Sequence, residues 1–78
     1  MAEGPFFNRV AVVGVGLIGG SIGLACKRVL ACREIVGVSR PQTLKEAIQI
    51  GAIDRGVDYE EMADGIGEAD VVFLCTPI

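Results

Sequence analysis

Gly14, Gly16 and Gly19 stand at Gly-x-Gly-x-x-Gly spacing in Gly14-Val15-Gly16-Leu17-Ile18-Gly19. The apolar run Val10-Ala11-Val12-Val13 precedes them, and a helix-like stretch from Leu17 to Leu30 follows. Strand, glycine loop and helix in that order are what a dinucleotide-binding turn requires. Gly14 lets the chain turn sharply. Gly16 has no Cβ, so backbone can approach a pyrophosphate. Gly19 lets the helix pack closely on the strand. Free N–H groups and the positive end of the helix dipole then face the anion. The alternative is a tight strand-to-helix turn that holds no ligand. The strand before the loop and the helix after it favour the binding turn.

A second pair of residues bears on which dinucleotide is bound. NAD-binding chains place Asp or Glu at the end of the second strand, about 20 residues past the last glycine, to hold the ribose hydroxyls. Here that position is Ser39, followed by Arg40. A carboxylate would repel a 2′-phosphate, whereas a hydroxyl and a guanidinium would bind one. Thr43 can add a hydroxyl or a backbone donor, or serve only as a helix cap. This argues for NADP(H) ahead of NAD(H). The plain alternatives are a solvated Arg40 and a turn residue at Ser39.

Composition narrows the rest. The chain has 78 residues, is half hydrophobic, contains 11 glycines and carries a net charge of −3. That suits one small α/β domain with a buried core. No basic patch with interleaved aromatics is present, which argues against nucleic acid. The apolar stretches are broken well short of a membrane span. Met1 to Asn8 lacks the basic start and long apolar core of a signal peptide. Cys26, Cys32 and Cys75 show no C-x-x-C spacing, and histidine is absent. A metal site is therefore not expected. Cys26 and Cys75 read as small buried hydrophobes and Cys32 as a residue near a helix end, in keeping with a reducing cytoplasm.

The elements that must position the glycine loop follow from the apolar pattern. The first strand is centred on Val10–Val13 and the first helix spans Leu17–Leu30. A second strand is read at Glu34–Val38. Pro41 pushes Arg40 out of helical geometry. Thr43-Leu44-Lys45-Glu46 matches a capping box, with Leu44, Ala47 and Ile48 on the buried side of a short helix that Gly51 stops. A short third strand falls within Ala52–Val57. Asp58-Tyr59-Glu60-Glu61 opens a further helix, anchored by Met62 and Ile66. Asp70–Cys75 is a fourth strand, apolar on both faces, with Thr76-Pro77 at its carboxyl end. The alternation predicts a Rossmann-like doubly wound parallel sheet of strand order 3-2-1-4. Residues 1–8 read as a leader and 9–78 as the first part of a nucleotide-binding domain, truncated after the fourth strand. That strand would expose an apolar edge.

At this point the residues resemble a known family. Val12 to Ser21, with Leu17-Ile18-Gly19-Gly20-Ser21 after the second glycine, is similar to the opening of the prephenate/arogenate dehydrogenases of tyrosine biosynthesis. Val36-Gly37-Val38-Ser39-Arg40, Gly51-Ala52-Ile53-Asp54 and Phe73-Leu74-Cys75-Thr76-Pro77 agree with it. The resemblance implies an oxidoreductase that moves hydride from the substrate ring to NAD(P)⁺ with loss of carbon dioxide. It further implies a homodimer joined through a helical domain beyond this segment. Carried over residue by residue, it puts Gly14, Gly16, Leu17, Ile18 and Gly19 at the phosphates and Ser39 and Arg40 at the adenosine side. Thr76 and Pro77 fall beside the nicotinamide. The family's catalytic histidine has no counterpart here, so no catalytic residue is assigned and the segment alone should not turn over substrate.

Two rival readings remain. One is another NAD(P)-dependent β-α-β reductase, acting on an imine or a β-hydroxy acid; such chains place Met or Asn where this one has Leu17-Ile18. The other is a non-catalytic nucleotide-sensing module, since function lives in the site and not in the fold. Such sensors keep the acidic ribose ligand that Ser39-Arg40 replaces.

Overall fold

A computed structural model describes residues 7–28, 32–67 and 69–75. The chain runs β1 (Phe7–Val13), α1 (Leu17–Arg28), β2 (Cys32–Val38), α2 (Pro41–Gln49), β3 (Arg55–Val57), a single 3₁₀ turn (Tyr59–Glu61), α3 (Met62–Ile66) and β4 (Val71–Leu74). All strand pairs are parallel, and the sheet order is β3-β2-β1-β4. The expected order is therefore found. β1 begins at Phe7, so it takes in Phe7 and Asn8 from the segment read as a leader.

β1 sits centrally and is covered on both faces, which explains its unbroken apolar run. Its register with β2 pairs Val10 with Ile35, Ala11 with Val36 and Val13 with Val38. These six side chains are all 4% exposed or less. Successive residues alternate between faces. Val10, Val12 and Ile35 share one core cluster with Val15, Leu44, Ala47, Ala52 and Ile53, and Ile22 and Cys26 of α1 pack against it. That cluster places α1 and α2 over the same face of the sheet. α3 lies against β2 and β3.

Glycine makes two close approaches possible. A Cβ on Gly23 would stand 2.2 Å from the Ala52 carbonyl oxygen, so α1 rests directly on the turn after α2. A Cβ on Gly37 would meet Ile53 and Val15 side chains, both at 2.8 Å. Gly51 adopts φ +80°, the left-handed stop expected of it.

Several details differ from the sequence reading. α2 starts at Pro41, so Thr43 is not its cap. Proline suits the first helical turn because its missing N–H would have no partner there. Arg40 is the N-cap, with the extended φ −71°, ψ 150° that a residue before proline adopts. The Thr43–Glu46 capping box is therefore not formed; both residues lie inside the helix, and no side chain caps it. The second candidate box fails likewise: Asp58 caps the 3₁₀ turn without a side-chain hydrogen bond. Ile48 is 48% exposed, because α2 turns only Leu44 and Ala47 inward. Among the cysteines, Cys32 is the buried one and begins β2, while Cys26 and Cys75 are half-buried.

β4 presents the apolar edge expected of it, with Val72, Phe73 and Leu74 all exposed. At the amino end of the sheet, Glu34 accepts hydrogen bonds from Arg9 Nε at 2.6 Å and Arg55 Nε at 3.5 Å, tying β1, β2 and β3 together. Such partly exposed pairs contribute about 0.2–1 kcal/mol each.

Candidate functional site

The glycine loop leaves β1 at its carboxyl end, where the neighbouring strands also finish. Gly14 N–H donates to the Val38 carbonyl at 2.7 Å on one side. Cys75 N–H donates to the Val13 carbonyl at 2.8 Å on the other. The loop thus sits where the order reverses about β1, with β2 to one side and β4 to the other. In an open parallel sheet this crevice is where ligands bind.

Gly14 has φ +85°, a left-handed conformation that side chains resist, and this produces the sharp turn. Gly16 N–H closes it by donating to the Gly14 carbonyl at 3.0 Å. Gly16 itself is exposed, and a Cβ added there would meet nothing within 4 Å. Its bare backbone faces open space. Gly19 is the opposite case: its Cβ would stand 2.5 Å from the Gly14 oxygen and 3.0 Å from Val12 Cγ1. α1 can approach β1 this closely only with glycine there. α1 begins at Leu17, and its first turn carries no acidic residue. Its early N–H groups are the free donors of any helix start.

The second half of the candidate site lies at the end of β2. Ser39 is buried, and its N–H donates to the Val57 carbonyl at 3.2 Å. Arg40 is exposed, and its carbonyl accepts from Leu44 N–H at 3.0 Å. Neither residue at this strand end, Ser39 or Arg40, carries a carboxylate. A cleft of about 480 Å³ opens between the glycine loop and α2, lined by Val15, Gly16, Gly20, Thr43, Glu46, Ala47 and Ile50.

The structure therefore brings Gly16 and Thr43 to one cleft, with Gly14 and Gly19 shaping the loop behind it. Ser39 and Arg40 stand at the carboxyl end of β2 and do not line the cleft. Leu17 and Ile18 open α1. Thr76 and Pro77 lie outside the described residues. Sequence reasoning missed Val15, Ala47 and Ile50 as apolar walls and Glu46 as a polar one. The signal was available in the helical spacing of Thr43, Glu46, Ala47 and Ile50, which share a stripe on α2. Among the described residues no cluster of His, Cys, Asp or Glu could hold a metal ion. No helix among them is long and apolar enough to cross a membrane.

A parallel sheet of order 3-2-1-4 with a glycine turn at its switch point defines a Rossmann-like nucleotide-binding fold. Comparison with known proteins then narrows the class. The chain is 37% identical over 71 residues to prephenate dehydrogenase of Lactococcus lactis subsp. cremoris strain MG1363, covering 91% of this chain and 19% of that protein. It is 34% identical over 72 residues to prephenate dehydrogenase of Bacillus subtilis strain 168, with the same coverage of each. Among solved structures, prephenate dehydrogenase from A. aeolicus in complex with hydroxyphenyl propionate and NAD⁺ superposes with a TM-score of 0.79 at 30% identity. That match covers 90% of this chain and 24% of that one. No family model matches the chain. The chain spans about a fifth of the length of the curated relatives it matches, at 19% of each. These similarities of sequence and fold support a fragment of the prephenate dehydrogenase family.

Proposed function

We propose that this chain is the dinucleotide-binding part of a prephenate dehydrogenase, and that residues 9–78 form the first part of its nucleotide domain. The observation that carries the reading is the glycine turn: Gly14 at φ +85°, Gly16 open to solvent and Gly19 seated 2.5 Å from the Gly14 oxygen if it bore a Cβ. A cradle of this kind fits a pyrophosphate, with donors on the loop and at the start of α1. Gly14, Gly16, Leu17, Ile18 and Gly19 hold the phosphates through backbone, and Ser39, Arg40 and Thr43 border the adenosine half. Thr76 and Pro77 are assigned to the nicotinamide side by resemblance. The nicotinamide, once bound, accepts a hydride from the substrate ring. This chain's own part is to grip and orient; the group that takes the ring hydroxyl proton lies elsewhere in the enzyme.

The cofactor is a nicotinamide dinucleotide. The solved relative holds NAD⁺, which indicates the unphosphorylated form. The preference for NADP(H) read from Ser39 and Arg40 finds no support in that relative and rests on electrostatics alone. With the family reading go prephenate or arogenate as substrate, a homodimer and a cytoplasmic location.

A steady-state assay of the intact protein carrying this chain tests the reading. Prephenate or arogenate should drive reduction of NAD⁺ or NADP⁺, with carbon dioxide released in step. Absence of turnover with every pairing of substrate and cofactor would remove the dehydrogenase reading.

A further inference from the structure

We infer that Gly20 is a positioning residue of the cofactor cleft: having no side chain, it leaves room on α1 for the phosphate–ribose stretch of the dinucleotide to settle beside Gly16. The inference rests on the dinucleotide reading above and deepens it. α1 carries three glycines, Gly19, Gly20 and Gly23. Glycine inside a helix is destabilising relative to alanine, because it loses more backbone freedom on folding. Packing accounts for two of the three. A Cβ on Gly19 would stand 2.5 Å from the Gly14 oxygen, and one on Gly23 would stand 2.2 Å from the Ala52 oxygen.

Gly20 is different. A Cβ there would meet nothing within 4 Å among the described residues, so packing does not demand glycine. Backbone geometry does not demand it either. Gly20 lies inside α1, its N–H donates to the Gly16 carbonyl at 2.8 Å, and the positive-φ glycines are Gly14 and Gly51. Gly20 is nonetheless buried, and it lines the cleft one helical turn beyond Gly16. Residues four apart share a helix face, so Gly16 and Gly20 form one bare wall opposite Thr43, Glu46 and Ile50. A methyl on Gly20 would enter the cleft and touch no other part of the fold. The glycine that the fold does not require is therefore the one the ligand requires. Its effect is steric, so it falls on NAD⁺ and NADP⁺ alike.

Titration of the intact protein with NAD⁺, NADP⁺ and ADP-ribose, which share the pyrophosphate, tests this together with thermal unfolding of wild type, Gly20→Ala, Gly20→Leu and Gly23→Ala. Gly20→Ala should raise the melting temperature by about 1–4 °C, since alanine favours the helix and clashes with nothing. It should still weaken all three ligands by about tenfold, and Gly20→Leu should weaken them further. Gly23→Ala should instead lower the melting temperature, because its methyl meets the Ala52 backbone. Undiminished binding by both Gly20 variants would overturn the role of Gly20 and leave the function standing. A lowered melting temperature in Gly20→Ala would overturn it too, by showing that this glycine serves packing. Binding of neither dinucleotide by folded wild type would overturn both the role and the function.

Discussion

Asp54 and Ile35 hold each other twice. Ile35 N–H donates to Asp54 Oδ2 at 2.7 Å, and Asp54 N–H donates to the Ile35 carbonyl at 2.8 Å. Asp54 Oδ1 also pairs with Lys27 Nζ in the last turn of α1. One carboxylate therefore joins α1, β2 and the chain entering β3. The same device recurs at β4, where Asp70 Oδ2 accepts from Asn8 N–H at 2.7 Å and Asp70 N–H donates to the Arg9 carbonyl at 2.8 Å. An aspartate just before each outer strand latches it to its inner neighbour.

Replacing Asp54 should loosen three elements at once. A charge-assisted hydrogen bond to a part-buried N–H contributes about 1.5–3 kcal/mol, and its loss leaves that N–H without a protein partner. Asp54→Ala should lower unfolding stability by about that amount, and Asp54→Asn by less, because an amide oxygen still accepts from Ile35. Urea unfolding of the intact protein measures both. Equal stability of Asp54→Ala and wild type would show the latch to be idle.

Gly16 and Gly19 should separate binding from folding. At Gly19 an added methyl meets backbone that cannot step aside, and overpacking of this kind costs about 1–3 kcal/mol. Gly19→Ala should therefore lower the melting temperature as well as cofactor affinity. At Gly16 the methyl meets nothing of the protein. Gly16→Ala should leave stability within about 0.5 kcal/mol of wild type. Its cofactor affinity should still fall by about tenfold, equivalent to 1.4 kcal/mol, because the methyl intrudes where the pyrophosphate approaches. Thermal unfolding and cofactor titration on both variants decide the matter. Unimpaired binding by Gly16→Ala would place the phosphates elsewhere.

Much of this fold is legible in the sequence because its central strands are buried on both faces. Val10–Val13 and Ile35–Val38 could be read as parallel inner strands from apolar runs alone, and the glycine spacing located the turn between strand and helix. What the sequence obscured were contests between local signals. Pro41 and Thr43 both mark a helix start, and proline at the first position prevailed, freeing Glu46 for the cleft. Gly23 gives no motif, yet it lets α1 touch Ala52, a contact between segments distant in the chain. Asp54 has no local partner to announce it, since Ile35 and Lys27 reach it only once the sheet has formed. Of the cleft walls, Glu46, Ala47 and Ile50 share a helical stripe with Thr43 that the sequence displays, whereas Val15 meets them only once the sheet has formed.

Cys32 supplies a prediction with a definite sign. Burial at the start of β2 pushes its thiol pKa above the ordinary range; Cys26 nearby adds to the rise, Lys27 opposes it and Asp54 reinforces it. In the unfolded chain the thiol ionises near its usual value of about 8.5. Above that pH the unfolded state binds fewer protons than the folded one, so unfolding stability falls as pH rises. Below it both states keep the proton and the contribution is constant. Wild type should therefore lose stability over the interval above about pH 8.5. Cys32→Ala should start lower, from the small cavity it creates, and decline less steeply over that interval. Urea midpoints collected across the range under reducing conditions give the two slopes. Parallel slopes would mean that ionisation of Cys32 plays no part in alkaline destabilisation.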